Sequence, residues 1–269
     1  MHKHRPAAWP ISIVVVALLG LASSSDIGSQ APGDRQRADS DKDASKSELR
    51  VLFIGNSLTY SNDMPAIVEA LAKASGERRL VHKTIASGGV GLEDHWHQGP
   101  ARKTIAQGSW DVVVLQQGPS ALPESRTILL DYSRRFAEEI RRAGARPALY
   151  MVWPATDRFR DFDRASESYQ IAAKDIQAML FPAGEAWRAA WRRDARAALY
   201  SRDGLHPSVF GSYLTALVVY EQLYGSAPTN LPPRLTVQSR SVRQIELRPD
   251  QIELLRVAAQ EANQKFGRR

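Results

Sequence analysis

The chain has 269 residues, 43% of them hydrophobic, with a net charge of +7 and no cysteine. That length supports one sizeable domain with a complete core. The missing cysteines exclude disulfides and a lipid on a processed N-terminal cysteine, so stability must come from the core.

The first residues read as a targeting segment. His2, Lys3, His4 and Arg5 make a positive start, residues 11–22 are apolar, and Ala22-Ser23-Ser24 offers small residues for cleavage. This is the pattern of a secretory signal peptide over residues 1–25, with an apolar run short of the ~20 residues a bilayer span needs. Export to the periplasm or medium follows, with no stable membrane insertion once the leader is removed. Residues 26–48 are polar and charged and are expected to be a disordered spacer.

Strand-length apolar runs then alternate with helical patterns. Strands are predicted over 50–54, 80–85, 111–115 and 147–152, with a short strand or only a loop near Phe181. Helices are predicted over 64–75 (stopped by Gly76), 128–143 (stopped by Gly144), 166–180 and 212–223 (closed by Gly225). This rhythm implies a parallel sheet of about five strands covered by helices on both faces, with the loops after the strands gathered on one rim. The domain is expected over 49–227. Residues 228–269 form an extension, Pro-, Arg- and Ser-rich at first and helical over 250–266.

The excess positive charge falls largely on helical patterns, as in Arg134, Arg135, Arg141 and Arg142, or Arg188, Arg192, Arg193 and Arg196. Solvated helical faces account for it. No basic stripe with stacking aromatics is present, so nucleic acid is not an expected partner.

Two segments carry chemistry. Gly55-Asn56-Ser57 follows the first strand, and Asp203-Gly204-Leu205-His206-Pro207 lies far downstream. Serine is a weak nucleophile unless a base takes its proton, and His206 can be that base. Asp203, three residues before, can accept the Nδ1 proton of His206 and fix its tautomer. Pro207 biases His206 to an extended backbone. There is no G-x-S-x-G elbow, P-loop, dinucleotide fingerprint or zinc signature, so no cofactor is expected. His95 and His97 lack a third ligand cluster, and at i,i+2 on a helix they face different ways, so no metal is expected either.

These blocks resemble the SGNH hydrolases, the GDSL-like esterase and lipase superfamily, over roughly residues 50–225. The resemblance implies a three-layer α/β/α domain with a flavodoxin-like sheet and the catalytic set Ser57, Asp203 and His206. It also implies an oxyanion hole from the backbone N–H groups of Ser57 and Gly89, with Gly88 close behind. The third block departs from the usual G-x-N-D. It reads Gln116-Gln117-Gly118-Pro119-Ser120, closer to the Q-G-E-S form of sialate and xylan acetylesterase relatives, in which a glutamine donates to the oxyanion. On that analogy Gln117 is the donor, with Gln116 and Ser120 as rivals. Asn56, Gln116 and Trp153 are candidate substrate-binding residues, Trp153 because it follows the fourth strand at the rim. The implied function is an exported serine esterase acting on small acyl esters, acetyl above all, with O-acetylated carbohydrate as substrate. The alternative is an inactive glycan- or anion-binding protein on the same scaffold.

Overall fold

The computed structural model describes residues 48–239 and 242–268; the expected leader and nearly all of the expected spacer lie outside them. β1 (Glu48–Gly55) leads through a four-residue helix α1 (Ser57–Tyr60) and a 3-10 turn (Ser61–Asp63) into α2 (Met64–Ala74). Then follow β2 (Arg79–Ala86), α3 (Leu92–Gln98), α4 (Pro100–Gln107), β3 (Val112–Leu115), α5 (Pro123–Arg142), β4 (Arg146–Tyr150), α6 (Phe162–Asp175), β5 (Met179–Phe181), α7 (Ala183–Arg193) and α8 (Val209–Tyr224). The extension holds a hairpin, β6 (Arg234–Gln238) and β7 (Val242–Glu246), and α9 (Pro249–Phe266).

The five strands pair in parallel in the order β2-β1-β3-β4-β5. Val51–Ile54 of β1 and all of β3 are buried, which is why these strands read as unbroken apolar runs: a parallel sheet covered on both faces has no wet side. On one face α2 packs on α8, and α8 on α7 and α9; on the other, α5 packs against α3, α4 and α6. α8 is buried almost all round, starts where the Ser208 hydroxyl accepts from Gly211 N at 3.0 Å, and stops at Gly225, φ 88°. Burying each large aliphatic side chain contributes about 1.5–3 kcal/mol, and this central layer supplies most of that driving force.

Several expected boundaries move. The helix predicted over 166–180 ends at Asp175, because Met179–Phe181 is drawn into the sheet beside β4. α5 starts at Pro123, five residues before the helix predicted from 128. α3, α4 and the hairpin were not anticipated. Among the described residues no helix is long and apolar enough to cross a membrane. Much of the helical arginine is paired on the surface, Arg134 with Asp175 and both Arg192 and Arg193 with Glu261. Such exposed pairs contribute little to stability.

Candidate active site

The chain runs outward from β1 to the edge strand β2 and then crosses to β3 on the other side of β1. The crevice at the C-terminal ends of β1 and β3 is therefore the switch point where ligands of such sheets bind. Ser57 enters it from β1 and Gln116–Ser120 from β3.

Gly55 ends β1 because nothing larger fits. A Cβ there would lie 2.4 Å from both Gln116 Oε1 and Thr59 Oγ1. Those two atoms form a buried knot: Gln116 Oε1 accepts from Asn56 N at 2.8 Å and from Thr59 Oγ1 at 2.7 Å. His95 holds the same corner from α3, its Nε2–H donating to the Gly55 carbonyl at 2.7 Å. Asn56 Oδ1 accepts from Leu58 N at 3.1 Å, and Asn56 Nδ2 donates to Val90 O at 3.1 Å. One side chain thus starts α1 and ties the Ser57 turn to the loop carrying Gly88 and Gly89. Ser57 itself is the first residue of α1, where a helix leaves its backbone N–H without an intrahelical partner. Gly89 has φ 73°, the left-handed region that glycine adopts freely, and a Cβ there would meet only open space.

The second loop is fixed around Asp203. Its Oδ1 accepts from Leu205 N (2.9 Å), His206 N (2.9 Å) and Ser201 Oγ (2.8 Å), while Oδ2 accepts a hydrogen bond from His206 Nδ1–H at 2.6 Å. The Leu205 N–H, the His206 ring and the Ser201 hydroxyl together hold the Asp203 carboxyl far below its ordinary range, so it stays ionised. The residues on either side of His206 are anchored to different elements. Trp153 Nε1 donates to Leu205 O at 3.0 Å from the end of β4, and Asn62 Nδ2 donates to Pro207 O at 2.9 Å from the turn after α1. His206 is thereby held on the same rim as Ser57. No hydrogen bond joins Ser57 to His206 among the described residues; in acyl-transfer sites that contact commonly tightens only with substrate bound.

The expectations for four residues are corrected. Trp153 does not line a cleft: it is fully buried, stacked on Trp187 with ring centroids 3.5 Å apart, and serves as a prop for the His206 loop. Gln116 is fully buried in the Gly55 knot and cannot reach substrate, and Asn56 is buried with its amide spent on Leu58 and Val90. Gln117 is turned inward, its amide nitrogen donating to Ser120 Oγ and Ser125 O, both at 3.0 Å. Its rival Ser120, at φ 56°, donates to Gly118 O at 3.0 Å. With Tyr169 OH donating to Gln117 O at 2.8 Å, the loop after β3 is closed on itself, and its side-chain amides hold that shape. Residues missed from the sequence are mostly braces, Thr59 and Asn62, while His95, weighed there for a metal, is a third. Only Asn62 carried a signal, sitting in an Asn-Asp turn directly after the serine helix.

Beside Leu205 lies a pocket of about 350 Å³ between the loops after β3 and β4, with apolar walls from Pro119, Ala121, Leu122 and Pro154. Of the two histidines first weighed for a metal, His95 Nε2 bonds to Gly55 O and His97 Nε2 to the Tyr132 hydroxyl, and among the described residues neither belongs to a cluster of three or more ligand-type side chains.

No family model matches the sequence, and no curated protein matches it. Among solved structures the chain is similar to a candidate SGNH hydrolase from Slackia heliotrinireducens, with 30% identity and a TM-score of 0.56, over 65% of this chain and 99% of that one. It is also similar to a DUF4886 family protein from Bacteroides uniformis (19% identity, TM-score 0.64, 81% and 95% covered). A third likeness is to an acetyl-xylooligosaccharide esterase from Geobacillus (18%, 0.52, 65% and 94%). The last two speak to the fold.

Proposed function

The chain belongs to the SGNH hydrolase superfamily, and from that premise we propose that it is an exported serine esterase cleaving small acyl esters, acetyl esters of carbohydrate above all. In the proposed step Ser57 Oγ attacks the acyl carbonyl and its proton passes to His206 Nε2. Asp203, ionised and bonded to Nδ1, keeps that tautomer and stabilises the imidazolium. The developing oxyanion lies against the N–H groups of Ser57 and Gly89. Collapse expels the alcohol, which takes the proton from His206. Water activated by the same imidazole then splits the acyl-Ser57 ester and releases the acid.

The observation that carries this reading is the Asp203–His206 pair. A loop built only to bind has no need to tie a carboxylate to an imidazole at 2.6 Å while three further donors keep that carboxylate charged. The preference for acetyl on carbohydrate rests on the third sequence block, and the acetyl-xylooligosaccharide esterase among the fold neighbours is consistent with it. Ser57→Ala is expected to abolish hydrolysis of p-nitrophenyl acetate and labelling by a fluorophosphonate, with the fold intact; retention of native activity removes Ser57 from its role. Export rests on the N-terminal pattern, and a mature chain beginning near residue 26, measured by mass, is the expected product.

A further inference from the structure

The serine turn has a second flank, on the side of β2, and its chemistry is different. A cleft of about 730 Å³ runs from Gly88 along β2, lined by Tyr60, Asp63, His82, Thr84, Ser87 and Ser239. That volume is within the range of small-molecule sites, roughly 300–1,000 Å³. We propose that this cleft is the subsite for the alcohol half of the substrate, and that it takes a neutral oligosaccharide bearing the ester. The proposal rests on the esterase reading and deepens it.

Position comes first. Tyr60 is the last residue of α1, three on from Ser57 and so on the same side of that single turn. Its hydroxyl stands 3.3 Å from where a Gly88 Cβ would lie, one residue from Gly89. The cleft therefore opens directly off the atoms proposed to hold the oxyanion. Its chemistry comes second. Tyr60 is 45% exposed, whereas Leu58 and Thr59 of the same helix are buried and Ser57 is half-buried, so α1 presents an aromatic side chain to the cleft. Around it stand three hydroxyls, one carboxylate and the imidazole of His82, whose Nε2 faces Glu69 at 3.4 Å; no lysine or arginine is among the lining residues. An aromatic face with mixed hydroxyl donors and acceptors suits the C–H faces and hydroxyls of a sugar. A phosphate or uronate would meet the Asp63 carboxylate, while His82 is already turned to Glu69 and the Arg243 guanidinium to Asn62 O; an acyl chain finds its apolar surface on the opposite flank, beside Leu205.

The wall is also built, not accidental. Asn62 and Asp63 both adopt left-handed backbone (φ 54° and 51°), a region that few residues other than glycine, asparagine and aspartate enter. The C-terminal hairpin holds them there: the Ser239 hydroxyl donates to Asp63 Oδ2 and the Arg243 guanidinium to Asn62 O. The extension thus forms one side of the cleft, and this gives it a part in recognition.

The test compares kcat/KM for mono-O-acetyl xylobiose with that for p-nitrophenyl acetate, in the native chain, Tyr60→Ala and Tyr60→Phe. Losing a central aromatic contact is expected to lower the ratio of the two about tenfold in Tyr60→Ala, while Tyr60→Phe keeps it within about threefold. Calorimetry with free xylobiose on Ser57→Ala is expected to show binding that the added Tyr60→Ala removes. An unchanged ratio in Tyr60→Ala, or xylobiose binding that is absent or indifferent to Tyr60, overturns the subsite. Xylobiose binding through Tyr60 in a native chain that hydrolyses neither ester would instead sink the esterase reading and leave the subsite standing.

Discussion

The geometry around Asp203 makes Asp203→Asn an unusually sharp perturbation. An asparagine could in principle rotate to offer its oxygen to His206 Nδ1. Here it cannot without cost, because the other oxygen position faces three donors, Leu205 N, His206 N and Ser201 Oγ, at 2.8–2.9 Å. The amide oxygen must stay with those donors, which places the NH2 group against Nδ1. The imidazole then accepts at Nδ1 and carries its proton on Nε2, so it cannot take the proton of Ser57. In serine proteases the same exchange costs about 10⁴ in kcat through this tautomer fault. Asp203 and His206 are 51% and 34% exposed, so water can partly restore the useful tautomer. The expected loss is therefore about 10³ in kcat/KM, or about 4 kcal/mol of barrier. The three bonds at Oδ1 survive, so the loop and the thermal midpoint should hardly move. Hydrolysis of p-nitrophenyl acetate with a parallel melting curve reads both quantities. Activity within tenfold of native at an unchanged midpoint would refute the role given to Asp203. The same carboxylate fixes the pH response: its folded pKa is lowered, so its contribution is present above the unfolded carboxylate value of about 3.9 and is lost only as pH falls below it. Between pH 4 and 8 the acid-side loss of kcat/KM should therefore follow one proton, and a two-proton limb there would show that Asp203 titrates as well.

Two further substitutions test the braces. Gly55→Ala pushes a methyl to 2.4 Å from Gln116 Oε1 and Thr59 Oγ1, and overpacking plus a disrupted buried acceptor is expected to cost about 2–4 kcal/mol in urea unfolding; a loss under 1 kcal/mol would mean the knot is soft. Trp153→Phe removes the donor to Leu205 O and part of the stack on Trp187, and is expected to lower kcat about tenfold with little change in KM, at a stability cost of about 1–3 kcal/mol. A stability loss with kcat intact would show that Trp153 supports the core and not the His206 loop.

What could be read from the chain and what could not divide on a physical line. β1 and β3 were legible because burial on both faces demands continuous apolar residues, and α8 because Gly225 stops it. β5 is three residues long and gains its strand character only from β4, so local pattern ran the preceding helix on to residue 180 and left the segment near Phe181 as a short strand or a loop. α3 and α4 are short, and the left-handed Gly99 and Pro100 between them break any helical period before it can accumulate. The hairpin did leave a trace, since Leu235, Val237 and Ile245 point inward at alternate positions, but the arginines and serines between them masked it.

The site shows the same division at atomic scale. A motif identifies which residues stand at the rim, but not whether their polar atoms face the crevice or the protein. Asn56, Gln116, Gln117 and Trp153 all look like binding residues in sequence, yet each is buried with hydrogen bonds spent on neighbours that only the fold brings near. Asp203 is exposed and Ser57 and His206 are half-buried, and the buried four restrain the turns that carry them. A rigid polar layer beneath an exposed reacting layer is what preorganisation requires, since a nucleophile and a base on free loops would lose much of their effect to misalignment. On that reasoning the buried amides contribute to rate through where they hold Ser57 and His206, and substitutions among them should lower kcat before they alter which ester is cleaved.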